Sequence, residues 1–596
     1  MPELRQRCVD SIPPSTQIPP VPLAPLKTYD EVARFLRHNE VGRRACIETP
    51  FGRRLLCYAD MTASGRFLHF VEAWMRRVAP FYANTHTAIS STGRIMTELR
   101  EKSRAVVRRS VNAGQDDVVL FVGSGATAAV NKLVGLLGLR IDEPLEREYA
   151  LHKHIPPERR PVVLVGPYEH HSNELPWLES VAEVVEVALD ASGCVDLSDL
   201  DAKAREFSSR PLRIGSFSAA SNVTGVLTDV PAVTRILRKN GFKVCFDYAA
   251  AGPYVPIDMH PKGGELDVDA VYLSMHKFIG GPQASGVLVA HRDLFRTRRP
   301  ERPGGGTVEY VAGSDRASVD YTHRLDEREE GGTPAIVSDL RAGISFLVKD
   351  LLGAQATLSH ECEIAKTALT RLSRHPRIQI LGSSGLPRLP ILSFNVQGLH
   401  HDLVSVLLDQ LFGIQNRAGC SCAGPYGHKL LGIDDATSRA FREQVAKGRS
   451  GIKRGWVRVT LPSYASSEDI DFIMKAIEFL ADHGRDFVPM YRLSWRDGVW
   501  RHIERPVPDV PPLELTVEAL LESAESFAAG DHEAPLSDAQ MQRERARYFQ
   551  EADRVASQLR TLNQDRTLQW NAPTGDADID RLRWFDYVHT DALDAV

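Results

Sequence analysis

The chain has 596 residues, 43% hydrophobic and 25% charged. That balance excludes a mostly disordered or fibrous protein and allows roughly four domains at ~150 residues each. Its 72 Lys and Arg against 77 Asp and Glu leave a net charge of −5, which argues against a dedicated nucleic-acid binder.

The N-terminus carries Glu3, Arg5, Arg7 and Asp10 ahead of a proline-rich stretch from Pro13 to Pro25, with no apolar core of a secretion signal. Residues 1–29 read as an extended proline-rich arm. From about 60 to 310, short apolar runs alternate with helical patterns. The runs are Val118–Val122, Val162–Val165, Leu212–Phe217, Lys243–Phe246, Ala270–Leu273 and Gly286–Ala290, and a helix is expected over Ala128–Leu139. Strands alternating with helices predict an α/β fold with a mostly parallel sheet covered on both faces. Val118–Leu139 is the longest weakly charged stretch, but Gly123, Gly125, Asn131 and Lys132 interrupt it, so no membrane span is expected.

A second block follows. It opens with a helical pattern through Ile344, Phe346 and Leu347 and closes with a helix over Ser467–Asp482. The prolines between Arg501 and Pro512 mark a linker. Two amphipathic tail helices come next. The first runs through Val517, Leu520, Leu521, Ala524 and Phe527, with Thr516 as N-cap and Gly530 as stop. The second starts at a Ser537/Gln540 capping box and runs through Met541, Tyr548, Ala552, Val555 and Leu559. The expected organisation is an arm over 1–29, a large domain over 30–320, a smaller α+β domain over 321–483, and a linker with a helical extension over 484–596.

The eight cysteines are sparse, and only Cys420 and Cys422 lie close together. A reducing, cytoplasmic compartment is expected, not a disulfide framework.

The segment Ser274-Met-His-Lys-Phe-Ile-Gly-Gly-Pro-Gln-Ala-Ser-Gly286 carries the most chemistry. Lys277 lies just past a buried strand, where Schiff-base chemistry needs an amine of lowered pKa. Asp247 ends another strand, and a carboxylate there can keep a pyridine nitrogen protonated, which makes pyridoxal phosphate an electron sink. His170 follows the strand Val162–Val165 and is placed to stack on that ring. The turn Gly123-Ser-Gly-Ala-Thr127 joins a strand to a helix and can hold phosphate on backbone N–H groups. All these positions fall at carboxyl ends of strands, where open α/β sheets bind ligands. The same turn fits a dinucleotide fingerprint, Gly123-x-Gly125-x-x-Ala128, with Asp142 and Glu143 near the spacing of a ribose-binding acid. That reading leaves Lys277, Asp247 and His170 without a role.

Glu169-His-His-Ser-Asn173 with Leu175-Pro-Trp177, Asn222 with Gly225, Asp247-Tyr-Ala249 and Ser274-x-His276-Lys277 resemble the class V aminotransferase fold, and most closely its cysteine desulfurase and selenocysteine lyase branch. The resemblance runs from about Tyr58 to Ile477. It implies a PLP-transferase fold of type I with a seven-stranded sheet, and pyridoxal 5′-phosphate as cofactor. It also implies Lys277 as the Schiff-base lysine, Asp247 as the pyridinium partner and His170 as the stacking group. Asn222 would bond cofactor or substrate, and Gly125, Ala126, Thr127, Ser274 and His276 would bind the phosphate. Gly304-Gly-Gly-Thr307 and Gly332-Thr333-Pro334 resemble segments that reach a neighbouring subunit's cofactor, which implies a homodimer. One position departs from the family. Relatives often carry Gln or His three residues after the aspartate, bonding the cofactor's phenolic oxygen, where this chain has Ala250.

The segment Asn416-Arg-Ala-Gly-Cys-Ser-Cys-Ala-Gly-Pro-Tyr-Gly-His428 resembles the desulfurase segment that holds a substrate-binding arginine and a nucleophilic cysteine, here Arg417 and Cys422. Arg458 matches a second arginine that grips the substrate carboxylate, as a planar guanidinium suits. From the residues alone, Cys420 and Cys422 are reactive thiols, buried inert thiols, or metal ligands with His428. The pair His400-His401 opens a helix and receives no role. The function expected is a cysteine desulfurase that takes sulfur from L-cysteine onto Cys422 and releases alanine, with a sulfur-acceptor protein as partner. The alternatives are amino-acid epimerisation or another C–S or C–N lyase on the same scaffold, or a binding protein with dead chemistry.

Overall fold

The computed structural model describes residues 28–588 apart from 86, 88, 314–317, 384, 505–515, 518–535 and 566–567. The proline-rich arm, save for Thr28 and Tyr29, and the first tail helix, save for Thr516 and Val517, therefore lie outside the described residues. Helix α1 spans Tyr29–Asn39 and begins one residue inside the expected arm, because Thr28 and Glu31 form a reciprocal capping box.

A seven-stranded sheet holds the larger part of the chain together. Its strands are β1 (Asp117–Val122), β2 (Val162–Val165), β3 (Glu183–Glu186), β4 (Arg213–Ser218), β5 (Lys243–Asp247), β6 (Ala270–Leu273) and β7 (Gly286–His291). Their order is β1-β7-β6-β5-β4-β2-β3. Only β7 runs antiparallel, against β1 on one side and β6 on the other. The fold is α/β as the alternation predicted, and the six predicted runs are all strands of this sheet. The seventh, β3, was not read from the sequence. It is a short edge strand whose two valines are flanked by glutamates, so it lacks the apolar run that marks a strand buried on both faces. In β2 and β6 every residue is buried.

Helix α2 (Ser91–Ser110) precedes β1, and helix α3 (Gly125–Leu136) follows it; α3 starts three residues earlier than the apolar pattern suggested. Apolar clusters lie on both faces of the sheet. One is built around Phe217, Phe246 and Val271, the other around Leu133, Leu164's neighbours Val163 and Val165, and Leu288.

The second block begins with helices α4 (Ile336–Leu352) and α5 (Ala354–Leu372). It adds strands β8 (Ile378–Ile380), β9 (Ile391–Val396), β10 (Arg417–Gly419) and β11 (Trp456–Thr460), paired antiparallel in the order β8-β9-β11-β10. Helix α6 (His401–Phe412) and helix α7 (Ser467–Phe487) complete it. Helix α7 continues five residues past the expected end at Asp482, and a hairpin of Tyr491–Leu493 with Trp500–His502 follows. The start of the proline-rich linker is thus sheet, not free chain.

The second tail helix, α8 (Asp538–Asp565), forms where it was expected. Ser537 and Gln540 bond reciprocally at its start. Its Tyr548, Ala552 and Ala556 are buried in the core of the second block, and Val555 and Leu559 pack at the edge of that core. Arg545 reaches Asp469 at 2.6 Å, a carboxylate that also accepts from Arg43 at 2.8 Å. The backbone N–H of Leu55 donates to Tyr548 Oη at 3.0 Å. No described helix is long and apolar enough to cross a membrane.

Candidate active site

The carboxyl ends of β1, β2, β4, β5 and β6 converge on one cavity, and the β10–β11 edge of the second sheet closes it. Lys277, Asp247, His170, Asn222, Ala126, Thr127, Ser274, His276, Arg417, Cys422 and Arg458 all line it. Eleven side chains from segments up to 332 residues apart therefore meet in one place.

Lys277 ends the single turn Met275–Lys277 that leaves β6. The turn is held from behind. Gly65 N–H donates to the carbonyl of His276 at 2.8 Å. A Cβ at Gly65 would stand 1.9 Å from the Phe278 carbonyl oxygen, so only glycine allows this approach. Burial pulls the Lys277 amine down to about 8, Asp247 opposes that shift, and Arg458 and Arg417 add to it. A neutral nucleophilic amine is thereby accessible near neutral pH.

Asp247 closes β5 and is 4% exposed. Burial raises its pKa, while the Ala249 N–H, donating to Oδ1 at 2.7 Å, and the charge of Lys277 favour the carboxylate. A protonated ring nitrogen is the partner such a carboxylate lacks. His170 stands in the same cavity as a neutral ring. Its pKa is lowered to about 3, first by burial and then by Lys277 and other cationic neighbours. The Ser172 N–H donates to its Nδ1 at 3.0 Å, so the ring proton sits on Nε2.

The N-terminus of α3 opens onto the cavity, where helix N–H groups and the helix dipole favour negative charge. Ala126 N–H donates to the Ser274 hydroxyl at 2.9 Å, which leaves the hydroxyl proton free to donate into the cavity. Thr127 and Ser172 share a hydroxyl contact of 2.6 Å. Gly125 does not itself line the cavity. Its φ of +58° and the 2.7 Å approach that a Cβ would make to Ser274 Oγ and His276 Cε1 show that it shapes this end of the helix.

Arg458 crosses behind Asn222. It is 3% exposed, donates to the Asn222 carbonyl at 3.1 Å and to Asp60 Oδ1 at 2.9 Å, and its Nε has no protein partner. Asn222 Nδ2 donates to the Ser421 carbonyl at 2.8 Å, and its buried Oδ1 is unpartnered. An unpaired oxygen in a cavity wall is a place for a ligand donor. Arg417 is exposed at the rim.

Cys422 lines the cavity and Cys420 does not; Cys420 is exposed. His428 is exposed, and these three residues form no metal cluster among the described residues. The grouping with ligand spacing is His400, His401 and Asp402. His400 there uses both ring nitrogens, accepting from the Asp402 N–H and bonding the Gly451 carbonyl, so it has no lone pair to give. Asp142 and Glu143, the dinucleotide reading's acids, are exposed at the start of a separate helix. Thr333 lies outside the cavity, in a recess with Gly123, Lys132 and Glu301, where it accepts from Asn84 at 3.2 Å.

Three contributors had no sequence signal. Asp60 orients Arg458 from 398 residues away. Ser218 lines the cavity because its strand ends there, and Thr62 because the turn after Asp60 reaches it. Glu169, which the Glu169–Asn173 motif contains but which received no role, is buried, and its carboxylate accepts from Ser218 N–H and hydroxyl and from Asn173.

A family model described as aminotransferase class V matches residues 57–473. A protein of Halalkalibacterium halodurans named probable cysteine desulfurase is 26% identical over 430 residues, covering 71% of this chain and 92% of the relative. A protein of the same name from Streptomyces coelicolor is 27% identical over 396 residues, covering 65% and 88%. The solved apo cysteine desulfurase of Thermococcus onnurineus superposes with a TM-score of 0.58 at 25% identity, covering 72% of this chain and 95% of that one. A cysteine desulfurase of Escherichia coli shares the fold at 22% identity, with a TM-score of 0.56, 74% of this chain and 97% of that one covered.

Proposed function

The chain belongs to the class V aminotransferase family, whose members are PLP-dependent enzymes, and from that premise we propose that it is a cysteine desulfurase acting on L-cysteine. The observation that carries this reading is one cavity lined by Lys277, Asp247, Arg458 and Cys422 together. A carboxylate-gripping guanidinium and a thiol then face the same bound amino acid.

Bound pyridoxal 5′-phosphate would supply an electron sink for charge developing at the substrate Cα. The residues present suit it. Lys277 would provide the covalent anchor and then carry the Cα proton. Asp247 would pair with the ring nitrogen, and His170 would lie against the ring. Thr127, the Ser274 hydroxyl and His276 would take the phosphate, with the Ala126 N–H orienting that hydroxyl. Asn222 offers its free Oδ1. Arg458, and Arg417 at the rim, hold the substrate carboxylate. The Cys422 thiolate attacks the sulfur of the bound cysteine; a new S–S bond forms, the Cβ–S bond breaks, and alanine leaves after reprotonation. We further propose a homodimer in which Thr333 of each subunit serves its neighbour's site, since Thr333 stands outside the cavity of its own chain. A sulfur-acceptor protein would take the product sulfur.

A second reading has an observation of its own. Ala250 lines the cavity with a methyl group where relatives often bond the phenolic oxygen. A differently tuned cofactor fits an epimerase or another C–S or C–N lyase. The test is to incubate the purified protein with L-cysteine and measure sulfide and alanine together, in the native chain and in Cys422→Ser. Equal yields of alanine and sulfide, lost in Cys422→Ser, support the desulfurase. Turnover that is unaffected in Cys422→Ser selects the second reading.

A further inference from the structure

The loop after β10 carries two thiols, one lining the cavity and one at the surface. Ala423 N–H donates to the Cys420 carbonyl at 3.1 Å, which closes a four-residue turn. Its two central residues, Ser421 and Cys422, have φ of +50° and +56°. Two consecutive non-glycine residues in the left-handed region are strained, and such strain persists only where the surroundings impose it.

Here three contacts impose it. Asn222 Nδ2 holds the Ser421 carbonyl at 2.8 Å. His171 N–H holds the Cys422 carbonyl at 2.9 Å, and Gly424 N–H returns to His171 Nε2 at 3.1 Å. The turn is thus fastened to the segments that carry Asn222 and His170. The consequence is directional. Cys422 faces the cavity, Ser421 is buried at 6% exposure as the wall, and Cys420 faces solvent.

Sulfur captured on Cys422 is therefore formed inside, while any acceptor must come from outside. Residues two apart have Cα atoms no more than ~7 Å apart, a separation comparable to the ~4.4–6.8 Å over which two cysteines can bond sulfur to sulfur.

We propose that Cys420 is a second sulfur-carrying residue, which takes the terminal sulfur from Cys422 and presents it at the surface to a thiol acceptor. This rests on the desulfurase reading. In the step, the Cys420 thiolate attacks the outer sulfur of the Cys422 persulfide. A new S–S bond forms on Cys420, the old one breaks, and Cys422 leaves as thiolate. The moved sulfur keeps its hydrogen and its oxidation state, so no oxidant or reductant is required.

The test is a single-turnover reaction of the cofactor-loaded protein with L-cysteine, quenched at intervals with iodoacetamide. Alanine release is measured alongside peptide mapping of the added sulfur, about 32 Da per persulfide. The expected result is an alanine burst with sulfur first on Cys422 and then on Cys420. In Cys420→Ser the sulfur should stay on Cys422, and transfer to added dithiothreitol should slow severalfold. A burst with sulfur on Cys422 alone throughout overturns the relay and leaves the desulfurase reading standing. Sulfur on Cys420 in Cys422→Ser also overturns it, because Cys420 would then be loaded directly. Absence of alanine from the native chain overturns the desulfurase reading itself, and the relay with it.

Discussion

Replacing Glu169 by glutamine probes how the cavity floor is built. The residue is 5% exposed. Its Oε1 accepts from Ser218 N–H at 2.8 Å, and its Oε2 accepts from the Ser218 hydroxyl at 2.6 Å and from Asn173 Nδ2 at 2.7 Å. Burial nevertheless raises its pKa to about 7, with Asp247 adding to the rise and the donors opposing it. In the unfolded chain a glutamate titrates near ~4.3. Between those two values the native state keeps a proton that the unfolded state has released, so this group's contribution to stability falls as pH rises from ~4.3 to ~7. The shift corresponds to about 3–4 kcal/mol, at ~1.36 kcal/mol per pH unit. Glutamine does not titrate. It carries a fixed cost of about 1–3 kcal/mol instead, because its amide NH₂ must face a donor where an oxygen stood. Glu169→Gln should therefore be the less stable protein near pH 4.5 and draw level with the native chain or pass it by pH 8. Urea unfolding of both apoproteins across that range measures the difference directly. If the two stability curves run parallel from pH 4.5 to 8, Glu169 does not titrate as a buried carboxyl and the reasoning fails.

Two further perturbations follow from the same contacts. On the proposed assignment of Lys277 as covalent anchor, Lys277→Ala should fold normally but lose both turnover and the visible absorbance of lysine-bound cofactor; native-rate turnover in this variant would refute the anchor. Arg545→Ala removes one of the two guanidinium partners of Asp469, whose side chain is 6% exposed. It should cost about 3 kcal/mol, lower the melting temperature and speed proteolysis near α8, and an unchanged melting curve would show that the helix docks by its apolar face alone.

The β-strands buried on both faces were legible in the sequence because burial demands continuous apolar runs, as in Val162–Val165 and Ala270–Leu273. Lys277, Asp247 and His170 were legible because a parallel sheet delivers whatever follows each strand to one edge. The second tail helix was legible from its capping box and its apolar spacing. What the linear order cannot state is which distant group completes each partner. Asp60 meets Arg458, Asn222 meets Ser421 and Arg545 meets Asp469 only after the sheets have packed, because a hydrogen bond depends on separation in space and carries no trace in spacing along the chain. The edge strand β3 escaped for the related reason that pairing on one side alone asks little of its side chains. The difference between Cys420 and Cys422 is of the same kind. Both are cysteines in one loop, and the left-handed turn pinned by Asn222 and His171 decides which one faces the cavity.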